Sequence, residues 1–162
     1  MDQSEVLIGI AEIATALAGF TGVVVVFGSR SEGNWHPGDR LRLNFLLEAS
    51  LTAGGFALLA LILFGTVDPQ LAWAASSAAW ALFMPISLYS SAKRIRESLM
   101  SHGDVDRVAN RLVFVVFASL VAVQVANVIV WQQFTPLLAA LSVNLAGAAM
   151  QFARLIRSAF QN

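Results

Sequence analysis

The chain has 162 residues, 57% of them hydrophobic and 12% charged, with no cysteine and a formal net charge of zero, and its mean hydropathy is +0.71. A soluble domain carries about a quarter charged residues, so this composition excludes an ordinary soluble fold. The missing thiols exclude disulfides and thiolate metal sites.

Five apolar runs fill most of the chain, at about 6–28, 41–66, 70–92, 112–131 and 134–156. Each is near the roughly 20 residues that cross a hydrocarbon core, and no segment remains for a separate soluble domain. The expected fold is all-α: a single polytopic membrane domain over residues 1–162 with five transmembrane helices.

The first run, "GIAEIATALAGFTGVVVVFG", keeps one carboxylate, Glu12. It is not expected to be a removable signal peptide, because Asp2 and Glu5 stand where a basic n-region belongs. At the helical period Glu5, Gly9, Glu12, Ala16, Gly19, Val23 and Arg30 fall along one side. Beside them Ala14, Ala18 and Gly22 make a small-xxx-small series of the kind that lets membrane helices approach closely. Packing accounts for the small residues but not for Glu12. A charge deep in a span costs about 2.5–3.5 kcal/mol on insertion scales, and such a residue faces a partner, a cavity or a pore.

The first inner loop, "SRSEGNWHPGD", is rich in turn residues, with Trp35 as an interfacial anchor. In span 2, Arg40, Asn44, Glu48 and Thr52 repeat every four residues and form one polar ridge. Folding spans 2 and 3 about Asp68-Pro69 brings Glu48 near the level of Ser87 to Tyr89. Glu48 then has two possible partners, the Tyr89 hydroxyl or Arg40 and Arg42, and its role stays open between structure and function.

Span 3 places Trp73 and Trp80 on one face with Ser76 and Ser77 between them. The expectation is lipid contact with an interfacial anchor at Trp73, and a kink at Pro85. Helical residue types continue past the span through "AKRIRESL", and His102-Gly103-Asp104 reads as a break with Asp104 as the next N-cap. Folding spans 4 and 5 about Phe134 brings Gln124 to the level of Asn144. Gln124, Asn127 and Asn144 are therefore read as structural amides. The second and fourth connections, "TVDPQ" and "QQFTP", are short turns with a proline where a missing N–H costs little.

Charge placement sets the expected orientation. The basic residues fall in the first loop (Arg30, Arg40, Arg42), the third (Lys93, Arg94, Arg96, Arg107, Arg111) and the C-terminal end (Arg154, Arg157). Five spans put all of them on one side, which by the positive-inside rule is cytoplasmic. The N-terminus is then outside and the C-terminus inside, in a bacterial inner (plasma) membrane, with the arginines near anionic lipid.

An enzyme is not expected. His36 and His102 lie in inner loops without an HxxxH or DxD pairing, and there is no phosphate-cradling loop or Ser/His/Asp set. No cofactor, metal or nucleic-acid partner is expected either. The segments "AGFTGVVVVFG" and "PGDRLRLNFLLEASL" resemble small multi-span bacterial membrane proteins that are uncharacterised, a resemblance over about the first 65 residues that implies no function. The core "ALAGFTGVVVVFG" is also similar to the pore helix of the Orai calcium-channel family in its Gly-Phe followed by valines. It departs from that family because Gly28, Ser29 and Arg30, not an acid, follow the valines. Five spans rather than four is a second departure, and the likeness is treated as convergence.

Five short spans make a bundle too small to enclose a wide path alone. The leading expectation is a homo-oligomer in which the first helices surround an axis. Rings of Glu5 and Glu12 would then attract an inorganic cation or proton, ahead of Gly19 and a Val23 constriction. The alternative is a non-conducting membrane scaffold or accessory subunit whose basic loops bind a partner or lipid. A small proton-coupled transporter stands third, since paired broken helices are lacking.

Overall fold

The structure, a computed structural model, describes residues 2–27, 37–102 and 107–160. They are all-helical: α1 (Gln3–Phe27), α2 (Pro37–Thr66), α3 (Pro69–His102), α4 (Arg107–Ala126), a short π-helical turn (Asn127–Trp131) and α5 (Phe134–Phe160). Five helices are long and apolar enough to cross a membrane, over Gln3–Val23, Asp39–Thr66, Pro69–Arg96, Arg111–Trp131 and Phe134–Arg157. The expected runs thus correspond to helices, with ends differing by a few residues. Arg30, Trp35, His36 and Asp104 lie outside the described residues.

Local chemistry explains the helix starts. Asp2 caps α1, its carboxylate accepting the Ser4 backbone N–H at 3.2 Å, and Glu5 adds an acid to the first turn, where it complements the positive end of the helix dipole. Hydrogen bonding by Ser4, side chain first and backbone second, holds the Asp2 carboxyl below its ordinary value. A lowered carboxyl stabilises the fold when ionised, so the cap is fully present above pH 3.8 and is lost in more acid solution. Asp68 caps α3 in the same way, accepting from Gln70 N at 3.0 Å, with Pro69 in the first helical position, where a missing N–H is harmless. The 34 residues of α3 rise about 51 Å, well beyond the roughly 30 Å of a hydrocarbon core. The helix therefore carries its basic segment past the apolar span, and it continues through Pro85 to His102.

The chain divides into two compact units. The first joins Met1–Leu61 to Leu141–Asn162. Its centre is a seam on α2, Leu46, Ser50, Ala53, Ala57 and Ala60, all fully buried. Their alternating steps of four and three residues keep one face inward, and three alanines let helix backbones come close. Closest approach falls at Gly54, where a Cβ would lie 3.1 Å from the Cβ of Ala14. Part of the small-residue series of α1 is therefore used within the protomer. Farther along, Phe20 of α1 meets Phe152 of α5 with ring centroids 5.9 Å apart.

The Gly54 contact gives a direct prediction. Gly54→Val is expected to lower stability by about 1–3 kcal/mol, the usual penalty for overpacking, because Ala14 is anchored to its backbone and cannot swing aside. Pairing Gly54→Ala with Ala14→Gly should restore near-normal stability. Unfolding by SDS titration would check both. Equal midpoints for Gly54→Val and the wild type would show that the two helices are not in close contact.

The second unit, Ile62–Ala140, holds the end of α2, all of α3 and α4, the π turn and the start of α5. The π turn after α4 meets the N-terminal part of α3 through the Asn127–Ser77 hydrogen bond, and α4 starts only five residues after α3 ends, so the two run antiparallel. Trp73 stacks on Phe64 at 4.9 Å and 21°, and packs against Phe134 at 5.1 Å and 52°. Trp73 is 3% exposed and Trp80 fully buried, which corrects the expectation that they face lipid. Their seven-residue spacing does put them on one face, but the neighbouring Ser76 and Ser77 are small and leave room for that face to pack inward.

On α4 the usual soluble pattern is reversed. Leu112, Val113, Val115, Val116 and Val125 are exposed, whereas Gln124 and Asn127 of the π turn are fully buried. An apolar outside around an amide-bearing inside is the arrangement that a lipid surrounding favours, since lipid tails solvate valine and leave amides to pair with protein.

Candidate functional site

Along α1 the predicted stripe is open. Glu5, Glu12, Ala16 and Gly19 are exposed, Val23 is 50% exposed and Gly9 is half-buried. A Cβ built on Gly9, Gly19 or Gly22 would meet nothing within 4 Å. The opposite side, Leu7, Ile10, Ala14 and Thr21, is buried. Ala14 lies about 200° round the helix from Glu12 at 3.6 residues per turn, so one face packs while the acidic face looks away from the protomer. The hydroxyls of Thr15 and Thr21 donate to the Ala11 and Leu17 carbonyls at 2.8 and 2.9 Å, which leaves neither as an unmet polar group on this helix.

The two acids of the stripe differ in kind. Glu5 sits in the first turn of α1 and has a local use there. Glu12 has no such use. From Gln3 to Glu12 the helix rises about 14 Å, nearly half the thickness of a hydrocarbon core.

Among the residues of the polar ridge on α2, Arg40 and Asn44 are exposed, Glu48 is half-buried and Thr52 is buried. The ridge thus dips into the first unit as it leaves the basic end. There Arg42 donates to Asp39 at 2.9 Å, and Asp39 is almost fully buried. In the second unit Tyr89 is 76% exposed, and Arg94 donates to the buried Ser91 hydroxyl at 3.0 Å. Arg40, Lys93, Arg96, Arg111, Arg154 and Arg157 are exposed.

The buried amides build a second polar site, in the second unit. Asn127 Nδ2 donates to Ser77 Oγ at 2.8 Å and to Gln133 O at 3.0 Å, while its Oδ1 accepts from Gln133 N at 3.0 Å. One side chain therefore ties α3 to both backbone groups of the turn that follows the π segment. That segment closes with Gln132 N donating to Asn127 O at 2.7 Å, and Gln132 adopts the left-handed conformation that ends the helix. Gln124 Nε2 donates to Pro136 O at 2.7 Å. Gln124 is fully buried and its Oε1 has no hydrogen-bond partner. Asn144 belongs instead to the first unit, where it is nearly fully buried and its Nδ2 has no hydrogen-bond partner.

Sequence reasoning chose Gln124 and Asn127 as structural residues but missed the partners Ser77 and Gln133 and the π turn. The one available signal was an Asn six residues before the Gln133 that precedes the Phe134 helix start, a spacing too general to identify in advance. Among the described residues no group of three or more His, Asp or Glu could hold a metal ion. Comparison with protein-family models, curated proteins and solved structures finds no match to this chain. That result agrees with a resemblance confined to uncharacterised small multi-span proteins.

Proposed function

We propose that the protein is a multi-pass protein of the bacterial inner membrane, N-terminus outside and C-terminus inside, whose copies assemble with α1 around a common axis to form a cation or proton pathway. Glu12 supplies the main support. It stands near mid-span on the open face of α1, where exposure of its charge to lipid costs about 2.5–3.5 kcal/mol. A second copy of the same face removes that exposure, because closed cyclic symmetry brings identical surfaces to one axis. Ala16 and Gly19 on this face permit close approach. In such a ring Glu12 attracts cations and Val23 forms an apolar constriction that gates by dewetting.

The orientation rests on the exposed basic residues at the start of α2, late in α3, early in α4 and at the end of α5, all at helix ends on one side under alternating span direction. Lipid is the surrounding partner, and the exposed valines and leucines of α4 suit it.

The absence of cysteine makes the assembly testable. Ala16→Cys or Gly19→Cys should give covalent dimers on mild oxidation in membranes, whereas Val115→Cys on the exposed face of α4 should give few. Cation flux from the purified protein in liposomes completes the test. Cross-linking without flux would favour the scaffold reading, and neither result would remove the oligomeric pathway.

A further inference from the structure

We infer that the second unit holds an ordered water molecule between α3 and α4, bound by Trp80, Ser76 and Gln124. The donor and acceptor inventory leads to it. The Gln124 amide is oriented by its Nε2–H bond to Pro136 O at 2.7 Å, so its Oε1 is left as an acceptor, buried and unpartnered. On α3 the Trp80 indole Nε1–H is a donor only, and it too is buried and unpartnered, as is the Ser76 hydroxyl. All three residues are fully buried.

Helix register brings Trp80 and Gln124 to one level, with Ser76 about one turn away on α3. The Asn127–Ser77 bond fixes antiparallel α3 and α4 at that height. Trp80 lies three residues onward on α3 and Gln124 three residues back on α4, so both step about 4.5 Å in the same direction. Ser76 and Trp80, four apart, share a face of α3, and Gln124 shares a face of α4 with Asn127 in the same way.

An unmet donor and an unmet acceptor on facing helices need a group that both accepts and donates. Water does this, accepting from Trp80 Nε1–H and donating to Gln124 Oε1 and Ser76 Oγ. That gives three partners, the usual number for a buried water. An apolar guest satisfies none of these atoms, and an ion finds no opposite charge among them. From Pro69 to Trp80 the helix rises about 16 Å, so within a membrane this water sits far from either surface. There an unmet polar group is at its most costly.

The chain has four tryptophans, so the full-length protein in lipid nanodiscs, labelled with ¹⁵N-indole, gives four indole N–H signals. Trp80→Phe identifies its own signal by loss. The expected result is a cross-peak from the Trp80 indole proton to a long-lived water, and loss of that cross-peak in Gln124→Leu. No water cross-peak in the wild type overturns the inference, including the case where the indole bonds Gln124 directly. A cross-peak that survives in Gln124→Leu also overturns it, since the water would then be held without its proposed acceptor. Should a variant fail to fold, site-specific ¹⁵N labelling at Trp80 keeps the wild-type measurement decisive.

Discussion

Glu12→Gln is expected to reduce cation flux in proteoliposomes about tenfold and to weaken selectivity for cations over anions. A carboxylate about 5 Å from a passing cation attracts it by about 3 kcal/mol at an effective dielectric constant near 20. The cation loses part of this in shedding water. About 1.4 kcal/mol of remaining preference corresponds to a tenfold change. Glu5→Gln should change flux less, because Glu5 stands at the start of α1 and its loss mainly removes about 0.3–1 kcal/mol of helix-dipole stabilisation. The two acids lie on one stripe, so a difference between them separates a carboxylate used by the helix from one used by the ion. Unchanged flux and selectivity in both variants would reject the pathway. Unchanged flux with loss of Ala16→Cys cross-linking in Glu12→Gln would instead make Glu12 an assembly contact.

The helices themselves were legible because their causes are local and compositional. Asp68-Pro69 ends one apolar run and caps the next, and runs near 20 residues admit little choice of element. The side that each helix turns inward was less legible. Trp73 and Trp80 were placed on the right face but given the wrong surroundings, because a membrane protein removes the contrast that identifies a core in water. Apolar residues are as suitable for lipid as for the interior. The inward face must then be read from small and polar residues, and the alanines at 53, 57 and 60 and the amides at 124 and 127 do mark it. By the same logic the openness of Glu12 was not readable, since a carboxylate in a span promises a partner without saying which molecule supplies it. The π turn was illegible for another reason. Asn127 binds Gln133 locally, but its bond to Ser77 exists only after α3 has packed against this turn.

Those contacts make Asn127→Ala the substitution with the largest expected effect on stability, about 2–4 kcal/mol. Side-chain hydrogen bonds within membranes average about 0.6 kcal/mol, and Asn127 makes three. Their loss also strands the polar groups they served, at about 1–3 kcal/mol for a buried group left unpaired. Asn127→Asp should be worse than its near-identical shape implies. A carboxylate still accepts from Gln133 N, but it has no N–H to give Gln133 O and it carries a charge into a fully buried position. Ser119→Ala provides the contrast, since its hydroxyl only returns to the Val115 carbonyl on an exposed face, and a change within about 0.5 kcal/mol is expected. SDS-unfolding midpoints for the three variants would order them. If Asn127→Ala unfolds like Ser119→Ala, the amide does not hold the turn, and α5 owes its start to Phe134 packing on Trp73 instead. If stability falls while flux per folded protein stays normal, the two polar sites have separate tasks: Asn127 joins helices inside the second unit, and Glu12 meets what lies outside the first.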